Sequence, residues 1–218
     1  MYNLVLFDMD GTLVDSGVGI LSCIVRTLED FGIYGKSFDD LRFMVGPPIR
    51  DGFRQLGYFD ESQIEEVVVR CREHFAQNGM QGFRLFDDIV ELLESLKAKG
   101  IKMAVATSAR TTSANECLGN FGINEYFDMI VGANEDGTRS EKPEIIGHIL
   151  DTLDSERKFN TIMIGDREFD ILGAKAHGIV SVGVLWGNGS EAELTQAGAD
   201  HIVDSLEELK LIIAPKAH

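Results

Sequence analysis

Residues 4–12 read LVLFDMDGT, a short apolar run followed by two aspartates and a turn that contains glycine. A continuous apolar run of this length is typical of a strand that is buried on both faces of a parallel sheet. In an extended chain, Asp8 and Asp10 point to the same side while Met9 points away. Ligands of open α/β sheets bind beyond the carboxyl ends of the strands. The segment therefore predicts a buried first strand that brings two carboxylates to a ligand site.

Four more short apolar runs lie further along the chain, each followed by a polar or glycine-containing turn. They are Ile101–Ala106, Met129–Val131, Thr161–Ile164 and Val180–Val184. Helical patterns lie between them, including an apolar stripe over residues 89–96 that Gly100 can cap, and a pattern that begins at Pro143. Strands that alternate with helices predict an α/β fold with a doubly wound, Rossmann-like parallel sheet.

The segment of residues 17–82 departs from this alternation, because it shows helical periodicity without a convincing buried strand. One apolar stripe recurs at helical spacing over Ile20–Phe31, and a second over Ile64–Phe75. We therefore expect residues 1–16 and 83–218 to form the α/β core. The intervening segment should form a small, all-helical cap inserted after the first strand.

The composition is that of an ordinary globular chain, with 44% hydrophobic residues, 26% charged residues and a net charge of −16. Binding to nucleic acid needs clustered Lys and Arg, so the acidic balance argues against such a partner. No stretch approaches the ~20 apolar residues of a membrane span, and the first residues lack the basic region of a signal peptide. The three cysteines form no CxxC pair. We expect a cytoplasmic protein without a membrane partner, and the sequence gives no indication of an oligomeric state.

Polar residues follow several of the predicted strands, and a lysine precedes one of the predicted helices. They are Asp8, Asp10, Thr107, Ser108, Lys142, Asp166 and Asp170. Two carboxylates ~4 Å apart repel each other by about 4 kcal/mol at an effective dielectric near 20, and a bound phosphate would add to this repulsion. Such a site needs a cation, and hard oxygen ligands without clustered His or Cys favour Mg²⁺. Lys142 would supply a second positive charge, and the Thr107 hydroxyl a donor to phosphate.

Residues 8–16, DMDGTLVDS, resemble the first signature of the haloacid dehalogenase superfamily of phosphatases. Thr107, Lys142 and residues 165–170 resemble the other three signatures, in the family's order and with its strand context. The similarity spans almost the whole chain, and the early helical segment resembles the family's small helical cap. Within the superfamily the chain is most similar to the phosphoglycolate phosphatase-like group, which includes enzymes that act on nucleotides. The resemblance implies a Mg²⁺-dependent phosphatase for a small phosphorylated metabolite.

The resemblance also implies a role for each aspartate. Asp8 would attack phosphorus and become an acyl phosphate. Asp10 would protonate the leaving oxygen and then activate water for the second step. Mg²⁺ would be held by Asp8, the backbone carbonyl of Asp10 and Asp166. Asp170 would bind the cation directly or through water.

Substrate contacts are implied partly by the resemblance and partly by position. Thr107 and Lys142 would hold the phosphoryl oxygens, and Ser108 is a second candidate for this contact. In the predicted cap, a Pro-Gly stretch is followed by Arg50 and Arg54, either of which could meet a substrate anion or lie solvated on a helix. Among metabolites we rank small phosphates such as phosphoglycolate first and nucleoside 5′-monophosphates next.

Other members of the same superfamily provide alternatives. The dehalogenases and the phosphonate-cleaving branch lack the second carboxylate of the first signature, so the presence of Asp10 argues against both. A sugar phosphomutase keeps all four signatures and stays open. A binding or regulatory protein without turnover also stays open, although every catalytic position is filled.

Overall fold

Eight strands and ten α-helices lie within residues 2–78 and 80–215, the part of the chain that the computed structural model describes. The strands are β1 (Leu4–Phe7), β2 (Val14–Asp15), β3 (Arg84–Leu85), β4 (Lys102–Arg110), β5 (Met129–Ala133), β6 (Thr161–Gly165), β7 (Val180–Val184) and β8 (His201–Val203). The helices are α1 (Gly17–Asp30), α2 (Phe38–Leu41), α3 (Ile49–Leu56), α4 (Glu61–Asn78), α5 (Ile89–Ala98), α6 (Thr111–Asn120), α7 (Lys142–Leu153), α8 (Glu168–Ala176), α9 (Glu191–Ala197) and α10 (Leu206–Ile213).

Six of the strands form one parallel sheet in the order β5-β4-β1-β6-β7-β8. The chain builds outward from β1 through β4 to β5, and then crosses to β6 on the other side of β1. The strand order therefore reverses at β1, and in open sheets this switch point leaves a ligand crevice at the carboxyl ends of the strands. The sheet confirms the predicted α/β fold and places the crevice beside residue 8.

Most strand positions agree with the apolar runs of the sequence. β1 and β7 have the predicted bounds, and β6 ends one residue later than predicted, at Gly165. β4 begins at Lys102 rather than Ile101 and continues to Arg110. β8 was not predicted, because it has only 3 residues and begins with the exposed His201, which leaves no apolar run to detect.

Helices cover both faces of the sheet. Leu4 and Leu6 of β1 belong to one core cluster together with Ile145 and Ile149 of α7. Successive strand residues point to opposite faces, so the fully buried Val5 packs against the other layer. In that layer α5 contacts both β4 and α10. This two-sided cover is the predicted doubly wound arrangement.

The chain divides into two compact units, one formed by Met1–Val14 and Leu85–His218 and the other by Asp15–Arg84. The second unit contains α1, α2, α3 and α4. Its own core includes Ile24 and Phe53, both fully buried. The apolar stripes of these helices therefore pack within the unit itself, which we call the helical unit.

The three cysteines, Cys23, Cys71 and Cys117, are buried free thiols. Burial raises the pKa of Cys71 to about 11 and that of Cys117 to about 12. Both thiols therefore stay protonated and unreactive at neutral pH. Among the described residues, none of the helices has the length and apolar character needed to cross a membrane.

Candidate active site

Asp8 lies at the carboxyl end of the central strand. Its backbone N–H donates to the Ile164 carbonyl at 2.8 Å, and its side chain is buried. A tight turn follows, in which Gly11 has a φ of 87° and donates its N–H to the Val14 carbonyl at 2.8 Å. Glycine adopts this left-handed conformation without the steric cost that other residues meet. Asp10 lies at the start of the turn and is half-buried.

Lys142 reaches the same place from the first position of α7, and it is only 3% exposed. Its Nζ lies 2.5 Å from Asp8 Oδ1, 2.6 Å from the Ala106 carbonyl and 2.7 Å from Asp170 Oδ1. Burial lowers the pKa of Lys142, but the charges of Asp170 and Asp8 outweigh this effect and raise the pKa above its ordinary value. The lysine is therefore a fixed cation that bridges two aspartates from different parts of the chain.

Two more buried carboxylates follow β6. Asp170, in the first turn of α8, accepts the Arg167 N–H at 3.1 Å with its Oδ2 and so caps the helix as well as contacting the lysine. Asp166 Oδ2 accepts the Asn188 N–H at 2.6 Å. The Thr12 hydroxyl lies 3.5 Å from Asp166 Oδ1. Each carboxylate is thus held by a donor of its own, and Asp170 both caps α8 and contacts Lys142.

Asp8, Asp166 and Asp170 converge, with one carboxylate oxygen from each lying within 4.8 Å of the others. Burial above all, together with the charges of Asp170 and Asp166, raises the pKa of Asp8 well above its ordinary value, although Lys142 opposes the rise. Burial and the charge of Asp170 raise the pKa of Asp166 to about 7. One lysine therefore does not compensate three buried carboxylates.

These residues suit Mg²⁺. The three donors are buried carboxylate oxygens, the hard ligands that this cation prefers. Asp170 Oδ1 lies 2.7 Å from Lys142 Nζ, and a carboxylate oxygen has a second lone pair that can bind a cation. A divalent cation would also supply the positive charge that the lysine alone does not.

Thr107 lies where the pairing of β4 with β5 becomes irregular. The register shifts after Ala106, and the Ala109 N–H donates to Thr107 Oγ1 at 3.1 Å. Such a bulge changes the direction of side chains at a strand end. A hydroxyl that accepts one bond can still donate its own proton to a ligand. Thr107 is buried, and the next residue, Ser108, is half-buried. Both follow Ala106, whose carbonyl contacts Lys142 Nζ.

The two arginines that the sequence suggested for substrate binding lie on α3 and are ion-paired within the helical unit. Arg50 Nη2 lies 2.5 Å from Glu65 Oε2. Arg54 pairs with Asp51 at 3.0 Å and with Glu61. Water and salt screen exposed pairs of this kind, so an anionic ligand could compete with their acidic partners. The role of Arg50 stays a prediction.

A loop after β7 also contacts Asp166, although no sequence motif marks it as part of a site. The Asn188 N–H binds Asp166, and Trp186 Nε1 donates to the Thr12 carbonyl at 3.2 Å. The sequence feature that marks this loop is the pair of glycines in residues 187–189, GNG. This stretch is too short to be a dinucleotide-binding motif. Its contact with Asp166 comes from a backbone N–H, which motifs of functional side chains do not reveal.

Several known proteins are similar to this chain over most of its length. Residues 5–184 match the model of the haloacid dehalogenase-like hydrolase family. A 5′-nucleotidase from Pseudomonas aeruginosa is 38% identical over 212 residues, which cover 97% of this chain and 96% of the relative. The tyrosine-protein kinase PtkA from Mycobacterium tuberculosis is 39% identical over 186 residues, 85% of this chain but 63% of that protein. The crystal structure of a predicted phosphatase from Clostridium acetobutylicum has a TM-score of 0.92 at 40% identity, with 98% of each chain covered.

The parallel sheet, its acidic site and these relatives define a phosphatase, that is, a phosphoric monoester hydrolase. The chain belongs to the haloacid dehalogenase-like hydrolase family, whose model covers most of its length. This membership confirms the resemblance drawn from residues 8–16.

Proposed function

We propose that the protein hydrolyses small phosphate monoesters in a Mg²⁺-dependent reaction that passes through a phosphoaspartate on Asp8. The observation that supports this most directly is the buried Asp8 carboxylate, which contacts Lys142 and lies within 4.8 Å of carboxylate oxygens of Asp166 and Asp170. A carboxylate held by a fixed cation at the switch point of an α/β sheet is well placed to attack a phosphoryl group bound there.

In the first half-reaction, an oxygen of the Asp8 carboxylate forms a bond to phosphorus while the bond from phosphorus to the leaving oxygen breaks. Asp10 donates its proton to that oxygen, so the alcohol departs neutral. Lys142 and the Thr107 hydroxyl contact the phosphoryl oxygens and stabilise their charge, which is the main task of the protein in phosphoryl transfer. The products are an acyl phosphate and the free alcohol.

The second half-reaction restores the enzyme. Asp10, now a carboxylate, takes a proton from water as the water oxygen attacks phosphorus. The bond between phosphorus and Asp8 breaks, its electron pair returns to the carboxylate, and inorganic phosphate leaves. Asp8 is then ready for another turnover, and Asp10 again carries a proton.

The groups that would hold Mg²⁺ are Asp8, Asp166, Asp170 and the backbone carbonyl of Asp10. When bound, the cation supplies positive charge that offsets the carboxylates and the phosphate. Burial raises the pKa of Asp8, so protons compete for this carboxylate in the metal-free protein. Positive charge next to Asp8 favours its ionised form, the form that attacks.

For the substrate class we propose nucleoside 5′-monophosphates. The support comes from the relative named 5′-nucleotidase, which matches along nearly the whole of both chains. The relative named as a tyrosine-protein kinase has more than a third of its length outside the match. It therefore gives weaker support for an activity on protein substrates. Phosphoglycolate, which the sequence alone ranks first, becomes the comparison substrate.

We further propose that the helical unit acts as a cap that selects the substrate. It is a compact unit with its own core, and its ends are joined by an ion pair of 2.9 Å between Arg84 Nη2 and Asp15 Oδ2. Arg50 is the candidate for contact with a substrate anion, because its pair with Glu65 is partly exposed and therefore weak. The cytoplasmic location expected from the sequence also stays a prediction.

The test is phosphate release by the purified protein from nucleoside 5′-monophosphates, phosphoglycolate, a sugar phosphate and p-nitrophenyl phosphate, with Mg²⁺ and with EDTA. The Asp8→Asn variant, purified in parallel, measures any contaminating activity. We expect Mg²⁺-dependent release from the wild type, with the highest kcat/KM for a nucleotide. Release no greater than that of Asp8→Asn on every substrate would overturn the proposal. A highest kcat/KM for phosphoglycolate would replace the substrate class, and isomerisation of the sugar phosphate without net release would indicate a mutase.

A further inference from the structure

Asp166 is held from one side by the loop that follows β7, residues 186–189. The Asn188 N–H donates to Asp166 Oδ2 at 2.6 Å, and Asn188 Nδ2 lies 3.4 Å from the same oxygen. Asp166 Oδ1 has the weaker contact, the Thr12 hydroxyl at 3.5 Å. A carboxylate held firmly through one oxygen has its plane fixed and its other oxygen available to a cation.

Three glycines make this close approach possible. A Cβ on Gly187 would overlap the Asp166 side chain and the Gly11 carbonyl, and a Cβ on Gly189 would overlap the Asp166 carbonyl. A Cβ on Gly11 would overlap the Asp166 carboxylate and approach Asn188 Nδ2. The backbone of the loop therefore packs directly against Asp166, with no space for a side chain between them.

The loop is itself tied to the turn after β1. Trp186 Nε1 donates to the Thr12 carbonyl at 3.2 Å, and the hydroxyl of the same threonine approaches Asp166 Oδ1. Asp166 thus lies between two segments that are bonded to each other. The other carboxylates of the group are held differently, since Lys142 contacts Asp8 and Asp170.

We propose that residues 186–189 hold Asp166 in the orientation in which it binds Mg²⁺. Two features of this loop set the affinity of the site for the cation, namely the absence of a Cβ at Gly187 and the hydrogen bond from Trp186 Nε1. This inference rests on the proposed function only in taking Asp166 as a ligand of the cation. Groups that orient metal ligands typically change metal affinity by about 10–100-fold when they are altered. The loop would act on the cation through Asp166 and without contacting the substrate.

The experiment measures Mg²⁺ binding by calorimetry in the wild type and in Gly187→Ala, Trp186→Phe and the matched control Gly119→Ala. Gly119 lies in α6, where an added Cβ meets nothing closer than 4.0 Å. Trp186 is the only tryptophan of the chain, so its emission provides a second readout that is independent of turnover. Circular dichroism and thermal unfolding in EDTA establish that each variant is folded.

We expect Gly187→Ala to raise the Kd for Mg²⁺ by about 10–100-fold. Trp186→Phe, which keeps an aromatic ring but removes the indole N–H, should raise it less, and Gly119→Ala should leave it unchanged. In the wild type and in Gly119→Ala, Mg²⁺ should change the Trp186 emission with the same midpoint as the calorimetric titration. If Gly187→Ala does not fold, Trp186→Phe decides the question.

The inference fails if the wild type binds Mg²⁺ and releases phosphate while folded Gly187→Ala and Trp186→Phe bind Mg²⁺ with the wild-type Kd. It also fails if Gly119→Ala weakens binding as much as Gly187→Ala, since the effect would then not belong to the loop. A wild type that releases no phosphate and binds no Mg²⁺ would overturn the proposed function and this inference together. The activity and Mg²⁺ binding of the wild type therefore show whether only this inference fails or the proposed function fails with it.

Discussion

Replacing Lys142 with methionine removes the cation of the site while keeping an unbranched side chain of similar length. The lysine Nζ lies 2.5 Å from Asp8 Oδ1 and 2.7 Å from Asp170 Oδ1, and both carboxylates are buried. Removing one partner of a buried pair destabilises a protein by about 3–5 kcal/mol, because an uncompensated charge is left behind. For a chain of this size that loss lowers Tm by about 6–20 °C.

The loss should depend on pH. Lys142 lowers the pKa of Asp8 against the effect of burial, so its removal raises that pKa further. When the pKa of a carboxyl group is higher in the folded than in the unfolded protein, the group lowers stability as the pH rises from its unfolded-state pKa to its folded-state pKa. The variant can relieve the repulsion by binding protons at about pH 5 but much less at about pH 8. The deficit relative to the wild type should therefore be larger at the higher pH.

Urea unfolding in EDTA at both pH values measures this deficit. Lys158→Met is the matched control, because Lys158 is exposed and its surface pair with Glu156 should contribute less than about 1 kcal/mol. Phosphate release by Lys142→Met should fall by at least ~100-fold, the scale of losing one donor to the transition state. Wild-type stability of the variant at about pH 8, or a larger deficit at about pH 5, would refute the reasoning.

Asp8→Asn should abolish phosphate release and leave the circular dichroism unchanged, because an amide of the same shape is neither a nucleophile nor an anionic ligand. Substantial turnover by this variant would count against Asp8 as the nucleophile. EDTA should abolish activity and Mg²⁺ restore it, while Ca²⁺ should fail because it prefers more ligands at longer distances; full activity in EDTA would remove the cation from the reaction. Burial raises the pKa of Asp166 to about 7, and Mg²⁺ binds the deprotonated carboxylate. The Mg²⁺ affinity measured by calorimetry should therefore rise as the pH increases through about 7. An affinity that does not change with pH would contradict this. Arg50→Ala should raise KM for the nucleotide or phosphoglycolate and leave that for p-nitrophenyl phosphate unchanged, and an equal effect on all three would exclude Arg50 from substrate recognition.

Much of the core could be predicted from the sequence, because strands buried on both faces need continuous apolar runs. β1 and β7 have the predicted bounds for this reason. β8 lacks such a run, and the pairing of the two-residue strands β2 and β3 has no apolar signal either. The irregularity of β4 after Ala106 arises from its pairing with β5, which no local pattern in β4 shows.

The site separates into a predictable and an unpredictable part for a related reason. Asp8, Asp166 and Asp170 could be expected together, because parallel strands bring their carboxyl ends to the same edge of a sheet. The contact of Lys142 with two of them follows from its place at the start of α7. The role of Gly187 could not be expected, since it rests on a missing Cβ and on the course of the backbone.

The position of β1 at the centre of the sheet has a consequence for biosynthesis. Leu4 is synthesised before both of its partners across the sheet, which are Lys102 on one side and Thr161 on the other. At about 5–20 residues per second, the second partner leaves the ribosome roughly 8–30 s after the strand itself. The helical unit, Asp15–Arg84, is complete much earlier and carries a core of its own. On the ribosome, the inserted segment is therefore able to fold before the sheet, while the apolar side chains of β1 stay exposed to chaperones until β6 has been synthesised.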